Sequence, residues 1–216
     1  MCEYAPTART RIYRGAAKAC YDQRTIHAIL DDIPECTIAI CDPKTGLPRQ
    51  MVTTHWRVDD AIYIHGGIGS AFYKALASGA PVAVSVAATD GLVLARSAFD
   101  TSINYRSVTI YGVFEPVEEV AAQLALLEAF YEQLLPGRWQ EIRQPSAKEM
   151  AATYVLRLPL VEAVAKISAG EPDDQEEAPQ VWGGVRARVQ GWGEVSADTS
   201  SRDMPLPPSI VRLGAK

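Results

Sequence analysis

Apolar positions along this chain switch between two spacings, and each switch marks an element. Ile26, Ile29, Leu30 and Ile33 recur at helical spacing behind Asp22, a good cap, so a first helix is expected over residues 21–33. Residues 36–41 form a short β-branched run closed by the turn residues Asp42-Pro43-Lys44-Thr45-Gly46. Residues 50–58 then read as the hairpin partner, and after an Asp59-Asp60 turn residues 61–64 pair next and run into the corner His65-Gly66-Gly67-Ile68-Gly69. A helix is expected from Ser70 to Ser78, stopped by Gly79 and followed by Pro81. Strands are expected over 82–88 and 92–98 around a Thr89-Asp90-Gly91 hairpin, and over 107–117, where Gly112 marks a bulge or a close backbone approach. The longest helical pattern covers 118–135, with Val120, Leu124, Leu127, Phe130, Tyr131 and Leu134 on one face and Pro136-Gly137 as its stop. A short helix over 147–152 and a last strand over 154–165 complete the pattern. About seven strands, joined mostly by hairpins, do not alternate with helices as a parallel sheet requires. The expected fold is therefore α+β, mainly β: a small antiparallel barrel with helices packed outside.

Composition narrows the function. With 216 residues at 48% apolar, the chain can bury one sizeable core and is short for two. Its formal charge of −5, with no long basic run, argues against a nucleic-acid partner. The start Met1-Cys2-Glu3-Tyr4-Ala5-Pro6 lacks an apolar signal core and no window is apolar enough to span a bilayer, so a soluble, cytoplasmic protein without a membrane partner is expected. Cys2, Cys20, Cys36 and Cys41 show no CxxC spacing and read as buried or idle thiols.

The chain divides into an N-terminal extension (1–20), a barrel domain (21–169) and a linker with tail (170–216). The extension holds the basic residues Arg9, Arg11, Arg14 and Lys18. Residues 171–179 are acidic and proline-flanked and read as an exposed linker, whereas residues 196–208 read as loosely ordered. Between them, Trp182 beside Gly183 and Gly184 is costly to leave in water, so the tail is expected to dock back through Trp182.

Three stretches combine polar function with backbone freedom. The first is His65-Gly66-Gly67-Ile68-Gly69-Ser70, with Lys74 one turn on; its free N–H groups, hydroxyl and cation suit a phosphate, and equally a plain strand-to-helix turn capped by Ser70. The second is Asn104-Tyr105-Arg106-Ser107, where Arg106 either grips an anion or pairs with an acidic neighbour. The third is Trp182, which either anchors the tail or lies beside a planar cofactor. No strained nucleophile turn, HExxH or clustered Cys/His set appears, and His27, His55 and His65 are too far apart to spell a metal motif. His27, on an amphipathic helix, reads as a surface residue.

Taken in order, Ile62-Tyr63-Ile64-His65-Gly66-Gly67 with Ser70, Asn104-Tyr105-Arg106-Ser107-Val108 with Gly112, Pro136-Gly137-Arg138-Trp139 and Val181-Trp182-Gly183-Gly184 resemble the FMN-binding split β-barrel family related to pyridoxamine 5′-phosphate oxidase, in its nitroimidazole-resistance-like branch. The resemblance runs from about Tyr21 to Val185. It implies a homodimer with FMN at the interface and a small-molecule substrate. Met51, Val52 and Thr53 would line the isoalloxazine edge, the glycine corner and Ser70 would hold the phosphate, Arg106 and Ser107 would lie on the cofactor-facing strand, and Trp182 would close the pocket. Family members usually carry a basic residue just after the serine, where this chain has Ala71 and Phe72 and delays its cation to Lys74. A lost phosphate partner costs about 1 kcal/mol or more. Either Lys74 or Arg106 substitutes, FMN binds weakly, or the pocket has changed ligand.

The leading expectation is an FMN-dependent oxidoreductase, nitro-aromatic reductase-like or pyridoxamine-phosphate-oxidase-like, with His65 and Tyr105 as candidate proton donors. A haem-binding or haem-handling barrel would need His55 or His65 as axial ligand. A non-catalytic flavin-binding dimer is the third class.

Overall fold

The computed structural model describes residues 3–174 and 180–213; Cys2 lies outside them. Helices form where local caps demand them. α1 (Gln23–Asp32) starts on Asp22, whose carboxylate accepts the Thr25 N–H. α2 (Ala71–Ala77) starts on Ser70 and is followed by Gly79 in the left-handed region at φ 87°. α3 (Val120–Leu134) starts on Glu119, and α4 (Ala147–Ala151) on a capping box made by Ser146 and Glu149.

Two antiparallel sheets enclose the core, with helices outside, as the apolar pattern implies. β1 (Ala19–Cys20), β2 (Glu35–Cys41), β3 (Pro48–Thr54), β6 (Pro81–Leu94), β7 (Ser102–Val113) and β10 (Glu162–Ser168) stand in the order β1-β10-β7-β6-β2-β3, and β11 (Gly184–Ala187) lies beside β6. The second sheet is β4 (Trp56–Val58), β5 (Ala61–Gly67), β9 (Thr153–Pro159) and β8 (Glu115–Pro116), in the order β4-β5-β9-β8. The main core lies between the sheets and under α1 and α2, with Ile38, Ile62, Ile64, Val84, Ile110, Leu156 and Leu158 essentially inaccessible. A Cβ at Gly112 would stand 2.8 Å from Leu158 Cδ1, so β7 reaches β9 only because that side chain is missing.

Four expected elements differ, and one of them, the strand over 107–117, divides into β7 in the first sheet and β8 in the second. The single strand over 50–58 breaks at His55, whose N–H binds the Pro34 carbonyl, and its two halves serve different sheets. The expected strand over 154–165 likewise splits into β9 and β10, turning at Leu160, whose N–H binds the Asp60 carbonyl. The expected Thr89-Asp90-Gly91 hairpin is instead a register shift inside one continuous β6, which pairs with β7 on both sides of it. Gly91 is needed there because a Cβ would meet the Arg186 carbonyl oxygen of β11 at 2.8 Å.

A second apolar cluster fills the space between the back of the smaller sheet and α3. Trp56, Tyr63, Leu127, Trp139 and Met150 are buried there, and Phe130 and Tyr131 pack partly against them. The tail returns as β11, and its linker, expected to be exposed, buries Asp174. That carboxylate accepts the N–H groups of Arg96 and Ser97 at 2.5 and 2.9 Å. Burial pushes its pKa up, but those two N–H groups and the Arg96 guanidinium outweigh it and hold the pKa below the usual value. The linker's residues 175–179 lie outside the described residues. The end of the chain forms α5 (Pro208–Leu213), fastened by Ser209 N–H and Oγ to the two Glu141 carboxylate oxygens. Among the described residues no helix is long and apolar enough to cross a membrane.

Candidate functional site

The edge strand β3, the glycine corner and α2 come together. Arg49, Met51 and Thr53 share the face of β3 turned toward α2, while Val52, on the other face, is 69% exposed. Thr53 Oγ1 lies 3.2 Å from the Tyr73 hydroxyl, and Tyr73 is the residue whose N–H the Ser70 hydroxyl caps. β3 ends its sheet, so one row of its backbone N–H and C=O groups has no neighbouring strand among the described residues.

The corner is divided in purpose. A Cβ at Gly66 would stand 2.2 Å from Tyr73 Cζ, so the vacancy at Gly66 is filled by the tyrosine ring; Gly67 and Gly69 face open space. Gly66→Ala is expected to destabilise the fold by about 1–3 kcal/mol, because the ring cannot move without leaving its buried place; a chemical-denaturation midpoint equal to wild type would contradict this.

The cation missing after Ser70 has a counterpart the sequence reading passed over. Arg49 places its guanidinium 5.8 Å from the Phe72 ring centroid and, with Lys44, Ala71 and Lys74, lines a hollow of about 190 Å³. Asp42 lies at the same hollow and takes the Arg49 Nη1 hydrogen at 2.7 Å. The Arg49 hydrogen bond, with the N–H groups of Lys44 and Thr45, holds the Asp42 pKa down to about 2. The available signal was period two: Arg49 precedes Met51 by two residues and so shares its face.

His65 points the other way. Strand alternation turns its ring, one residue before Gly66, toward α3, where it lies 5.8 Å from Trp56 and 5.3 Å from Phe130 between ring centroids. It borders a hollow of about 300 Å³ with Phe130, Tyr131, Trp139 and Arg143. Its Nδ1 is buried without a hydrogen-bond partner, and burial lowers its pKa, so the ring is neutral at pH 7. His55, 1% exposed, stands at a second hollow of about 280 Å³ with Trp56, Phe130 and Trp192. Phe130 is shared by both hollows, and Trp56, Tyr63, His65, Phe130, Tyr131 and Trp139 form one continuous set of ring contacts.

Within one chain the remaining expected residues lie apart. Arg106 pairs with Asp32 at 2.7 Å and Asp90 at 3.5 Å beside a separate hollow of about 480 Å³ that Asn104 and Val185 also line. Ser107 donates its hydroxyl to the Lys166 carbonyl at 3.1 Å. Tyr105, half-buried on β7, pairs with Ser168 of β10. Trp182 is 70% exposed, with its indole against Gly184, so the tail's return is carried by β11 and Asp174. Cys36 is buried, which pushes its thiol up to about 12 and makes it inert at neutral pH. Among the described residues no group of three or more potential ligands could hold a metal ion.

Comparisons place the chain. The model of the Pyridoxamine 5′-phosphate oxidase family matches residues 22–167. The FAD and heme binding protein from Mycobacterium smegmatis is 37% identical with a TM-score of 0.84, over 91% of this chain and 97% of its own. The flavocytochrome Anf3 from Azotobacter vinelandii is 35% identical with a TM-score of 0.87, over 97% and 98%. A proposed 5-nitroimidazole antibiotic resistance protein from Bacteroides thetaiotaomicron shares the fold at 17% identity and a TM-score of 0.59, over 69% and 86%. No curated protein matches.

Proposed function

This chain belongs to the pyridoxamine 5′-phosphate oxidase family and has its split-barrel fold, and from that premise we propose that it is a flavin-binding oxidoreductase acting on a small molecule as a homodimer. The observation that carries the reading is the open edge of β3 beside a basic hollow. The edge offers backbone donors and acceptors to the polar rim of a flavin ring, and Arg49, Lys44 and Lys74 offer positive charge to its phosphate. Gly67 and Gly69 leave room for close approach. The residues present fit the group. Bound there, flavin supplies the electron transfer, and the protein's part is to bind it, orient it and exclude water. FAD is preferred to FMN because the M. smegmatis relative, 37% identical, is described as FAD-binding.

A dimer is supported by apolar side chains that a monomer leaves in water: Phe99 at 95%, Trp182 at 70% and Val52 at 69% exposure. In a dimer, Arg106, Ser107 and Trp182 of one protomer become available to the site of the other. Residence in the cytoplasm accords with this reading.

A second reading, haem binding, has its own support. Two relatives are described as heme-binding or as a flavocytochrome, and His65 is a half-buried imidazole whose buried Nδ1 has no hydrogen-bond partner, set among flat aromatic walls. Its hollow, about 300 Å³, is at the lower limit for a small-molecule pocket. His65 would hold the haem iron, with His55 as the alternative.

The test is the absorption spectrum of freshly purified protein, with chromatography of the released flavin and light scattering for mass. A flavin spectrum, FAD on release and a dimer mass are expected; a Soret band that disappears in His65→Ala would establish haem. A colourless monomer that takes up neither FMN nor FAD would overturn the proposal. Bound flavin that reduced nicotinamide cannot bleach, and that no nitro-aromatic or quinone reoxidises, would identify a non-catalytic flavin protein.

A further inference from the structure

The vacancy at Gly66, the ring that fills it and the hydroxyl pair beyond it form one line of contacts from the glycine corner to β3. We propose that Tyr73 is a positioning residue for the flavin: its hydroxyl holds the Thr53 hydroxyl and so fixes the conformation of the β3 edge, with Gly66 left bare to let the ring lie there. The inference rests on the flavin reading above and adds a residue that does not itself touch the ligand.

Each link is on the molecule. Tyr73 is 6% exposed, and its ring occupies the site where a Gly66 Cβ would be, 2.2 Å from Cζ. The Ser70 cap on the Tyr73 N–H fixes where α2 begins, and therefore where this ring leaves the helix. The phenol then meets Thr53 at 3.2 Å. On its far side Thr53 belongs to the β2–β3 ladder, opposite Cys36, but among the described residues β3 has no further strand to steady it. An edge strand held from one side only needs a second restraint if its backbone is to meet a rigid planar ligand in one register. A buried phenol is expensive to leave unpaired, so the contact is specific rather than incidental.

The test compares wild type with Tyr73→Phe, Thr53→Val, Thr53→Ser and the Phe/Val double variant. Flavin-free protein is titrated with FAD and FMN and followed by flavin fluorescence, the bound flavin's visible band is recorded, and the flavin-free melting temperature is measured. Losing this hydrogen bond should weaken binding about five- to tenfold in Tyr73→Phe and in Thr53→Val. The double variant should be no worse than either single one, Thr53→Ser should restore wild-type affinity, and the visible band should shift in the weakened variants alone. Wild-type affinity in Tyr73→Phe, additive losses in the double variant, or losses that merely follow the melting temperature would overturn the positioning role while leaving the flavin reading intact. Failure of wild type to bind either flavin would overturn both.

Discussion

Arg49→Ala is expected to weaken flavin binding by about ten- to a hundredfold, measured by fluorescence titration of flavin-free protein. A hydrogen bond from a charged group is worth about 1.5–3 kcal/mol, and about 1.4 kcal/mol is a factor of ten. The family's usual basic residue is replaced here by Ala71 and Phe72, so the charge must come from elsewhere, and Arg49 is the guanidinium the fold brings against that turn. Its link to Asp42 holds the fork in place. Arg49→Lys should recover only part of the affinity, since a point charge cannot make the fork's paired contacts. Lys74→Ala should cost less: both cations are exposed, but Asp42 holds the Arg49 fork in place, whereas Lys74 carries a point charge on a flexible stem. Equal affinity in wild type and Arg49→Ala would place the phosphate elsewhere, with Arg106 the first alternative.

Acidification from pH 6.5 to about 4 should remove about 3 kcal/mol of stability through His55 alone. Burial depresses its pKa from the ordinary 6.5 to about 4, against the smaller opposing pull of the Leu30 and Pro34 carbonyls and Asp31. The folded protein therefore keeps His55 neutral in a range where the unfolded chain takes up a proton, and stability rises with pH there. It is fully present above 6.5, falls progressively below that, and levels off once the folded form also protonates near 4. A gap of that size at about 1.4 kcal/mol per pH unit gives the figure. His65, lowered by burial as well, acts in the same direction. The measurement is the denaturation midpoint against pH for wild type and His55→Gln: the variant starts less stable but should show a shallower acid slope. Parallel slopes would exclude His55 as the group responsible.

Elements whose cause is local were legible in the sequence. Asp22, Ser70 and Gly79 with Pro81 act within one turn of the backbone they cap or stop, so their residue types and spacing already carried the boundary. Gly112 was legible as a close approach for the same reason, although its partner, Leu158, was not. The corners at His55 and Leu160 were invisible, because an apolar run that leaves one sheet for the other keeps the same alternation through the change. The Thr89-Asp90-Gly91 signal misled because a turn-forming glycine and one that admits a neighbouring backbone are the same residue; β11, almost a hundred residues on, decides which.

The candidate site divides along the same line. The glycine corner and Ser70 were marked as candidates by residue type and order, and β3 by the family resemblance. That Gly66 serves Tyr73, that His65 faces α3, and that Arg49 stands where a basic residue was missing depend on which face meets which neighbour.

By itself the sequence determined the antiparallel character of the chain and the boundaries of α1 to α4, because caps, turns and period-two alternation act over a few residues. Only the tertiary structure decided which of those residues meet. Contacts between distant segments are set by how two sheets and their helices bury a shared apolar surface, and that burial is a property of the whole fold rather than of any stretch within it.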